Sequence, residues 1–349
     1  MTTPPLVVID ADVLGRRRTG DETYVTGLLR ELAGAEDFTL AAVTRRPELV
    51  PVGIKPVELP AHSQVVRMAV RMPQLLRRLR PALAHFQHAL PLTCPCPAVV
   101  TVHDLSFERE PSLMGLRERL IFRAVVPRAA RHAARVIAVS ELTKRDLIEL
   151  YRIPEEKIVV IPNGVDPRFR AEGPRTTGDY ALVVGALQPR KDPAAAIEAL
   201  ALLGNGDLRL VFAGPDRGGR VEAERAAERT GLHGRVDFRG YVPQEELAAL
   251  YRGAACLVFP SRYEGFGLPA LEAMASGTPV VATTAGALPE VVGDAAILVD
   301  ERDPAALAGG IERALADRDR LVRAGLERAR LYSWAETARR TLAVYRELV

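Results

Sequence analysis

CLVFPSRYEGFGLPALEAMASGTPVVAT, residues 256–283, reads as strand, loop, helix and strand, and each change of state has a residue that causes it. The apolar runs Cys256–Phe259 and Pro279–Thr283 have the length of buried strands. Pro269 suits the first turn of a helix, where a missing N–H costs nothing, and Gly277 with Pro279 closes that helix. Strand, crossing helix and strand is the unit of a parallel sheet covered by helices, so this segment puts the chain in the α/β class.

The same rhythm extends in both directions. Before the segment come apolar runs at Tyr180–Val184, Leu208–Ala213 and Val236–Arg239, and after it Ala296–Val299. An earlier series has candidate strands at Leu6–Asp10, Thr39–Val43, Ala98–His103, Arg135–Val139 and Ile158–Ile161. Helical patterns fall between them at Thr23–Leu32, Val65–Arg80, Leu116–Ala134 and Glu141–Tyr151. Between the two series lies FRAEGPRTTGD, rich in Gly, Pro and charge and without period, which marks a linker near Arg170–Asp179. The expected domains are therefore 1–170 and 171–330, both Rossmann-like and facing a cleft. The amphipathic segment 331–349 is expected to pack back on the first domain.

Composition bounds the function. The 349 residues are 48% hydrophobic and 26% charged, as in an ordinary globular protein, and no apolar run approaches the roughly 18 residues of a spanning helix. The opening MTTPPLVVID reads as a first strand, not a signal peptide, so a cytoplasmic protein is expected. Cys94, Cys96 and Cys256 match no zinc or redox spacing and read as free thiols. Residues 1–170 hold 25 Lys and Arg against 19 Asp and Glu, a net of +6, and the remainder 22 against 25, a net of −3. Arginines at Arg67–Arg80 and Arg117–Arg135 alternate with apolar residues, a pattern of solvated helix faces that could also meet an anionic membrane as a peripheral contact. Aromatics at 5% argue against a nucleic-acid partner.

Within the opening segment, Gly265 and Gly267 let backbone approach a ligand closely at a helix start. Glu264 and Glu272, eight positions apart, supply two carboxylates suited to gripping polyol hydroxyls. Gly265-x-Gly267-x-x-Ala270 imitates a dinucleotide fingerprint, but that fingerprint follows the first strand of a domain and this loop follows the fourth. Arg190 and Lys191, between a strand and a helix, put two adjacent cations where a diphosphate can be neutralised. His103 ends a strand at the edge where ligands bind, and Asn163 and Gly164 follow another. Asp10-Ala11-Asp12 imitates a metal-holding Asp-x-Asp step but reads as structural, so no metal is expected.

These segments resemble the retaining glycosyltransferases of family 4, closest to mannosyltransferase-like members. The resemblance is carried by Glu264-x7-Glu272 with LPEVVGDAAILVD, VHDLSF (102–107), VSELTKRDL (139–147), VIPNGVD (160–166), VGALQPRKD (184–192) and GYVPQEELAALY (240–251). It implies the two-domain GT-B fold and transfer of a hexose from a nucleotide sugar to a saccharide, glycolipid or small-molecule hydroxyl, with no cofactor. GDP-mannose is the first expected donor and a UDP-hexose the second. The resemblance further implies that Glu264 and the backbone of Phe266 and Gly267 hold the donor sugar, that Glu272 takes the ribose, and that Leu268 borders the nucleoside. Arg190 and Lys191 would meet the diphosphate, His103 would lie against the sugar, and Gly20, Asn163 and Gly164 would border the donor. Where family members carry Gly-[IV]-Gly-Arg-Tyr this chain reads Thr19-Gly20-Asp21-Glu22-Thr23-Tyr24, keeping Gly20 but not the arginine. Two other readings use the same fold: a non-catalytic nucleotide-sugar binder and an epimerase.

Overall fold

Buried strands of Val, Leu and Ala alternate with amphipathic helices along the whole chain, and the strands pair in parallel throughout. In the computed structural model, which describes residues 4–16, 19–61, 63–203 and 206–349, the chain divides into two units. The first is Met1–Gly164 with Ser333–Val349, and the second is Val165–Tyr332.

The first unit holds β1 (Leu6–Asp10), β2 (Thr39–Thr44), β3 (Lys55–Glu58), β4 (Leu83–Gln87), β5 (Ala98–Val102), β6 (Arg135–Ala138) and β7 (Ile158–Val160), in the order β3-β2-β1-β4-β5-β6-β7. The order reverses between β1 and β4, so ligands of this unit are expected beyond the ends of those strands. The second unit holds β8 (Tyr180–Val184), β9 (Arg209–Ala213), β10 (Val236–Phe238), β11 (Cys256–Phe259), β12 (Val280–Thr283) and β13 (Ile297–Val299), in the order β10-β9-β8-β11-β12-β13. Its reversal lies between β8 and β11. Each sheet is covered by helices and has its own apolar core, around Val100, Phe86 and Leu76 in the first unit and Phe212, Ile197 and Val258 in the second.

Several boundaries differ from the sequence reading. The expected linker at Arg170–Asp179 is not a connector between units, because it is fastened to the second unit. Arg252 Nε donates to the Pro174 carbonyl at 2.6 Å, Thr176 N donates to the Ala249 carbonyl at 3.0 Å, and the Phe169 ring meets Tyr251 edge-on. The division falls at Gly164 instead of residue 170, and the returning segment begins at Ser333 instead of 331. The first helix starts at Thr19, not Thr23, which places Asp21 and Glu22 in its first turn, where acidic residues suit the helix dipole. The expected helix at 65–80 is interrupted by a π-turn at Arg67–Arg71 ahead of Pro73. That turn sends the buried Arg67 guanidinium to Asp10, with bonds of 3.0 and 2.5 Å. Asp12 accepts from Arg45 at 2.8 and 2.9 Å and from Arg16, so the Asp-x-Asp step is occupied by guanidinium groups.

Ser333 caps the last helix, Trp334–Arg346, accepting from Glu336 N at 3.1 Å. In the first unit Trp334 lies against Gly27 so closely that a Cβ there would stand 2.3 Å from the indole. Among the described residues no helix is long and apolar enough to cross a membrane.

Candidate functional site

Two clusters of chemistry-bearing residues form, one at the strand-order reversal of each unit. In the second unit, the chain leaves β8 through Gly185, makes a 3₁₀ turn at Pro189–Lys191 and enters the helix Pro193–Leu202. It leaves β11 through Pro260–Gly267 and enters the helix Leu268–Ala275. These neighbouring exits bring Lys191 Nζ to 2.5 Å from Glu264 Oε1, with Arg190 Nη1 at 3.5 Å from the same oxygen. Arg190 also donates to the Tyr263 carbonyl at 2.5 Å, and the Lys191 ammonium stands 4.7 Å from the centre of the Phe259 ring. Lys191 and Glu264 side chains are 13% and 9% exposed, so the basic turn is not a solvated one. Burial pushes the Glu264 carboxyl up, but Lys191 and Arg190 together pull it below the usual carboxylate range.

The loop between Glu264 and the helix is shaped by two glycines. Gly267 has φ +111°, open to glycine and strained for other residues, and begins the turn into Leu268. Gly286, at φ +66°, packs on the backbone of Glu264, where a Cβ would stand 2.2 Å from its carbonyl oxygen. The next residue, Ala287, donates its N–H to that same oxygen at 2.8 Å. Phe266 is buried beneath the loop with its ring edge-on to Tyr332. One turn inside the helix, Glu272 accepts from the Tyr251 hydroxyl at 2.9 Å. Burial pushes the Glu272 carboxyl up to about 7, partly offset by the Tyr251 hydrogen bond. The arrangement offers a paired carboxylate, a second carboxyl poised near neutrality, two cations and a helix N-terminus, which together suit a polyol joined to a diphosphate.

In the first unit, His88 follows β4, His103 follows β5, and Asp21 lies in the first turn of the helix after β1. His103 Nε2 is 3.1 Å from Gln87 Oε1; a carbonyl oxygen only accepts, so Nε2 carries the proton. The Tyr24 ring meets His103 edge-on at 4.8 Å, and the His88 ring lies 5.0 Å away. Burial holds His103 down to about 4, so its imidazole is neutral at ordinary pH. Behind it, the Tyr24 hydroxyl and Thr101 Oγ1 are 2.9 Å apart, His85 Nε2 is 2.8 Å from that Oγ1, and His85 Nδ1 is 2.6 Å from the Tyr345 hydroxyl. Asn163 is buried in the same unit, with its Oδ1 lacking a hydrogen-bond partner. Gly164 has a packing role, since a Cβ there would meet the backbone N of Trp334 at 2.1 Å. Gly20 is exposed in the first helical turn with open space about its Cα.

The structure thus joins Lys191, Arg190 and Glu264 directly, and sets Phe266, Gly267, Leu268 and Glu272 along the same loop and helix. Tyr251, Gly286, Gln87 and His88 were missed from the letters. Gly286 carries a faint signal, a glycine just before a helix; the others become visible only through their partners.

A family model described as "Glycosyl transferases group 1" matches residues 164–330, and one described as "Glycosyltransferase Family 4" matches residues 18–169. The chain is similar to the O-antigen chain mannosyltransferase B of Escherichia coli, 31% identical over 269 residues that cover 72% of this chain and 70% of that protein. It is also similar to the D-inositol 3-phosphate glycosyltransferase of Frankia alni, 37% identical over 61% of this chain. The match spans 59% of the length of that relative. Among solved structures, the sucrose-phosphate synthase of Thermosynechococcus elongatus superposes with a TM-score of 0.79 at 22% identity, over 99% of both chains, a likeness of fold.

Proposed function

Because the chain belongs to the group 1 glycosyl transferases, within glycosyltransferase family 4, we propose that it moves a hexose from a nucleoside diphosphate sugar to an acceptor hydroxyl with retention at the anomeric carbon. The observation that carries this reading is the Lys191–Glu264 pair at the reversal of the second sheet, with Arg190 beside it. A diphosphate entering there takes over the cations, and the carboxylate it releases is held ready for sugar hydroxyls. Stabilising the departing phosphate is the main electrostatic demand of such a transfer, and two half-buried cations meet it without a metal ion.

In this reading Glu264 and the backbone of Phe266 and Gly267 orient the sugar, Glu272 takes the ribose diol, and Leu268 borders the nucleoside. Neutral His103, with Nε2–H fixed by Gln87, presents an uncharged face to the sugar, which suits a group beside developing positive charge. Asn163 and Gly20 would border the donor, and the buried Asn163 Oδ1 is an acceptor that a ligand hydroxyl could satisfy.

GDP-mannose is the donor we favour, in keeping with the similarity to a mannosyltransferase, and a UDP-hexose is the second choice. The acceptor we propose is a saccharide or lipid-linked saccharide, reached from the cytoplasmic side. Val65, Val66, Val70, Leu116, Leu120 and Ile121 are exposed apolar residues on the arginine-bearing helices and support a peripheral membrane contact. Thermal unfolding with GDP, UDP and ADP tests the donor base, since a bound nucleotide raises the midpoint by mass action. Turnover of GDP-mannose by the wild type and its loss in Lys191→Ala and Glu264→Ala test the assignment. Full activity in both variants would overturn it.

A further inference from the structure

The first unit gathers three ligand-type side chains from three chain segments around its own strand reversal. One carboxylate oxygen of Asp21 and one ring nitrogen each of His88 and His103 lie within 4.8 Å of one another, and all three residues are half-buried. Two imidazoles and a carboxylate form a donor set for zinc-class divalent cations.

Two further observations distinguish this cluster from a chance meeting. His88 adopts φ +56°, a left-handed backbone that is uncommon outside glycine and in which histidine, like asparagine and aspartate, is enriched. That conformation is fixed by its own N–H, which donates to the Thr101 carbonyl at 2.9 Å, and the ring is braced edge-on by Phe122. Its Nδ1 is buried and makes no hydrogen bond, a deficit that a native structure needs a reason to keep. The second observation is the tautomer of His103. Gln87 accepts the Nε2 proton at 3.1 Å, so Nδ1 bears the lone pair, and an outer carbonyl gripping the far N–H is the usual support of a metal-ligating imidazole.

We infer that Asp21, His88 and His103 form a binding site for a divalent transition cation of the zinc, cobalt and nickel class. Three protein ligands leave a fourth position for water or a ligand hydroxyl. Ligand atoms about 2.1 Å from a common tetrahedral ion lie about 3.4 Å apart, so the cluster closes by roughly 1.4 Å from its widest separation, within the range of side-chain rotation. Asp21 stands in the first helical turn where family members carry isoleucine or valine, so the carboxylate of the site is a property of this sequence. The inference shares His103 with the transfer reading, so its test reads cation binding without turnover.

Chelator-treated protein titrated with Co²⁺ and followed by visible absorption is the test, with Zn²⁺ calorimetry in parallel. One saturating equivalent with nitrogen and oxygen ligation is expected. Asp21→Asn and His88→Asn should each weaken it by roughly 10-fold or more. Asparagine tolerates the left-handed backbone, so the His88 variant keeps its fold, which metal-free thermal unfolding verifies. Unchanged binding in both variants, a thiolate charge-transfer band pointing to Cys94 and Cys96, or no saturation into the millimolar range would each overturn the assignment.

Discussion

Lys191 Nζ and Glu264 Oε1 meet at 2.5 Å, at a point where both side chains have lost most of their contact with water. Each therefore depends on the other. Lys191→Ala leaves a buried carboxylate with Arg190 at 3.5 Å as its remaining cation, and breaking a buried pair this way destabilises by about 3 kcal/mol. We expect urea unfolding to show a loss of that order. The double variant Lys191→Ala/Glu264→Gln should recover most of the stability and none of the transfer, separating the two roles of the pair. Equal stability of the single and double variants would show that the two side chains are not coupled.

The same pair sets an acid limit. Glu264 titrates below the unfolded value, so its contribution is present above that value and is lost as pH falls through the folded one. In Lys191→Ala the cationic pull is reduced and burial regains its influence. Stability measured from pH 3 to 7 should then begin to fall at a higher pH than in the wild type.

Glu272 behaves in the opposite sense. Its carboxyl is pushed up to about 7, so the folded state favours the proton; this advantage is complete below the unfolded value near 4.5 and is lost as pH rises through 7. At about 1.4 kcal/mol per unit, the effect is about 3 to 4 kcal/mol. Glu272→Gln should flatten the dependence of the unfolding midpoint on pH between 5 and 8 and be the more stable protein at pH 8. A ribose diol donates to the ionised form, so wild-type nucleotide affinity should rise about tenfold from pH 6 to 8, with proton release seen by calorimetry in two buffers. The glutamine variant should show neither.

Gly286 and Gly267 differ in what a methyl group would meet. At Gly267 it approaches the end of the Leu288 side chain at 2.6 Å, which can rotate away, whereas at Gly286 it meets Glu264 backbone at 2.2 Å. Both positions have positive φ. Gly286→Ala should therefore cost more stability than Gly267→Ala, by 1 kcal/mol or more, and should displace Glu264 enough to abolish donor binding. Thermal unfolding and nucleotide titration of both variants check the order.

In the first unit, Tyr345→Phe removes the partner of the buried His85 Nδ1 at 2.6 Å. An unsatisfied buried nitrogen costs about 1–3 kcal/mol, and the loss should appear in the unfolding midpoint with no change in nucleotide affinity, since the nucleotide residues proposed above belong to the second unit.

The sequence was most legible where periodicity and punctuation agreed. Cys256–Phe259, Tyr180–Val184 and the helix Glu141–Tyr151 have the expected bounds because apolar run, turn residues and cap point the same way. β3 escaped notice because Lys55-Pro56-Val57-Glu58 is an edge strand with little to bury, and β4 because His85 and Gln87 interrupt its apolar letters. His85 is nonetheless fully buried, and the hydroxyls of Thr101 and Tyr345 make this possible from 16 and 260 residues away. The pairing of Lys191 with Glu264, 73 residues apart, follows from strand order, which the letters constrain only as a class. The meeting of Asp21 with His88 and His103 likewise comes from three separate strand exits, none of which carries a recognisable spacing.

The second unit is one uninterrupted stretch, and its two ends are joined by a hydrogen bond from Val165 N to the Tyr332 carbonyl at 3.3 Å. The first unit is interrupted, and its last helix supplies Trp334 and Tyr345 to a core begun more than 300 residues earlier. On the ribosome the order of completion is therefore reversed from the order of the chain. The later-synthesised unit has every residue it needs while the earlier one still lacks a buried helix, and the nascent first unit must keep the grooves for that helix open until residues 333–349 have been made.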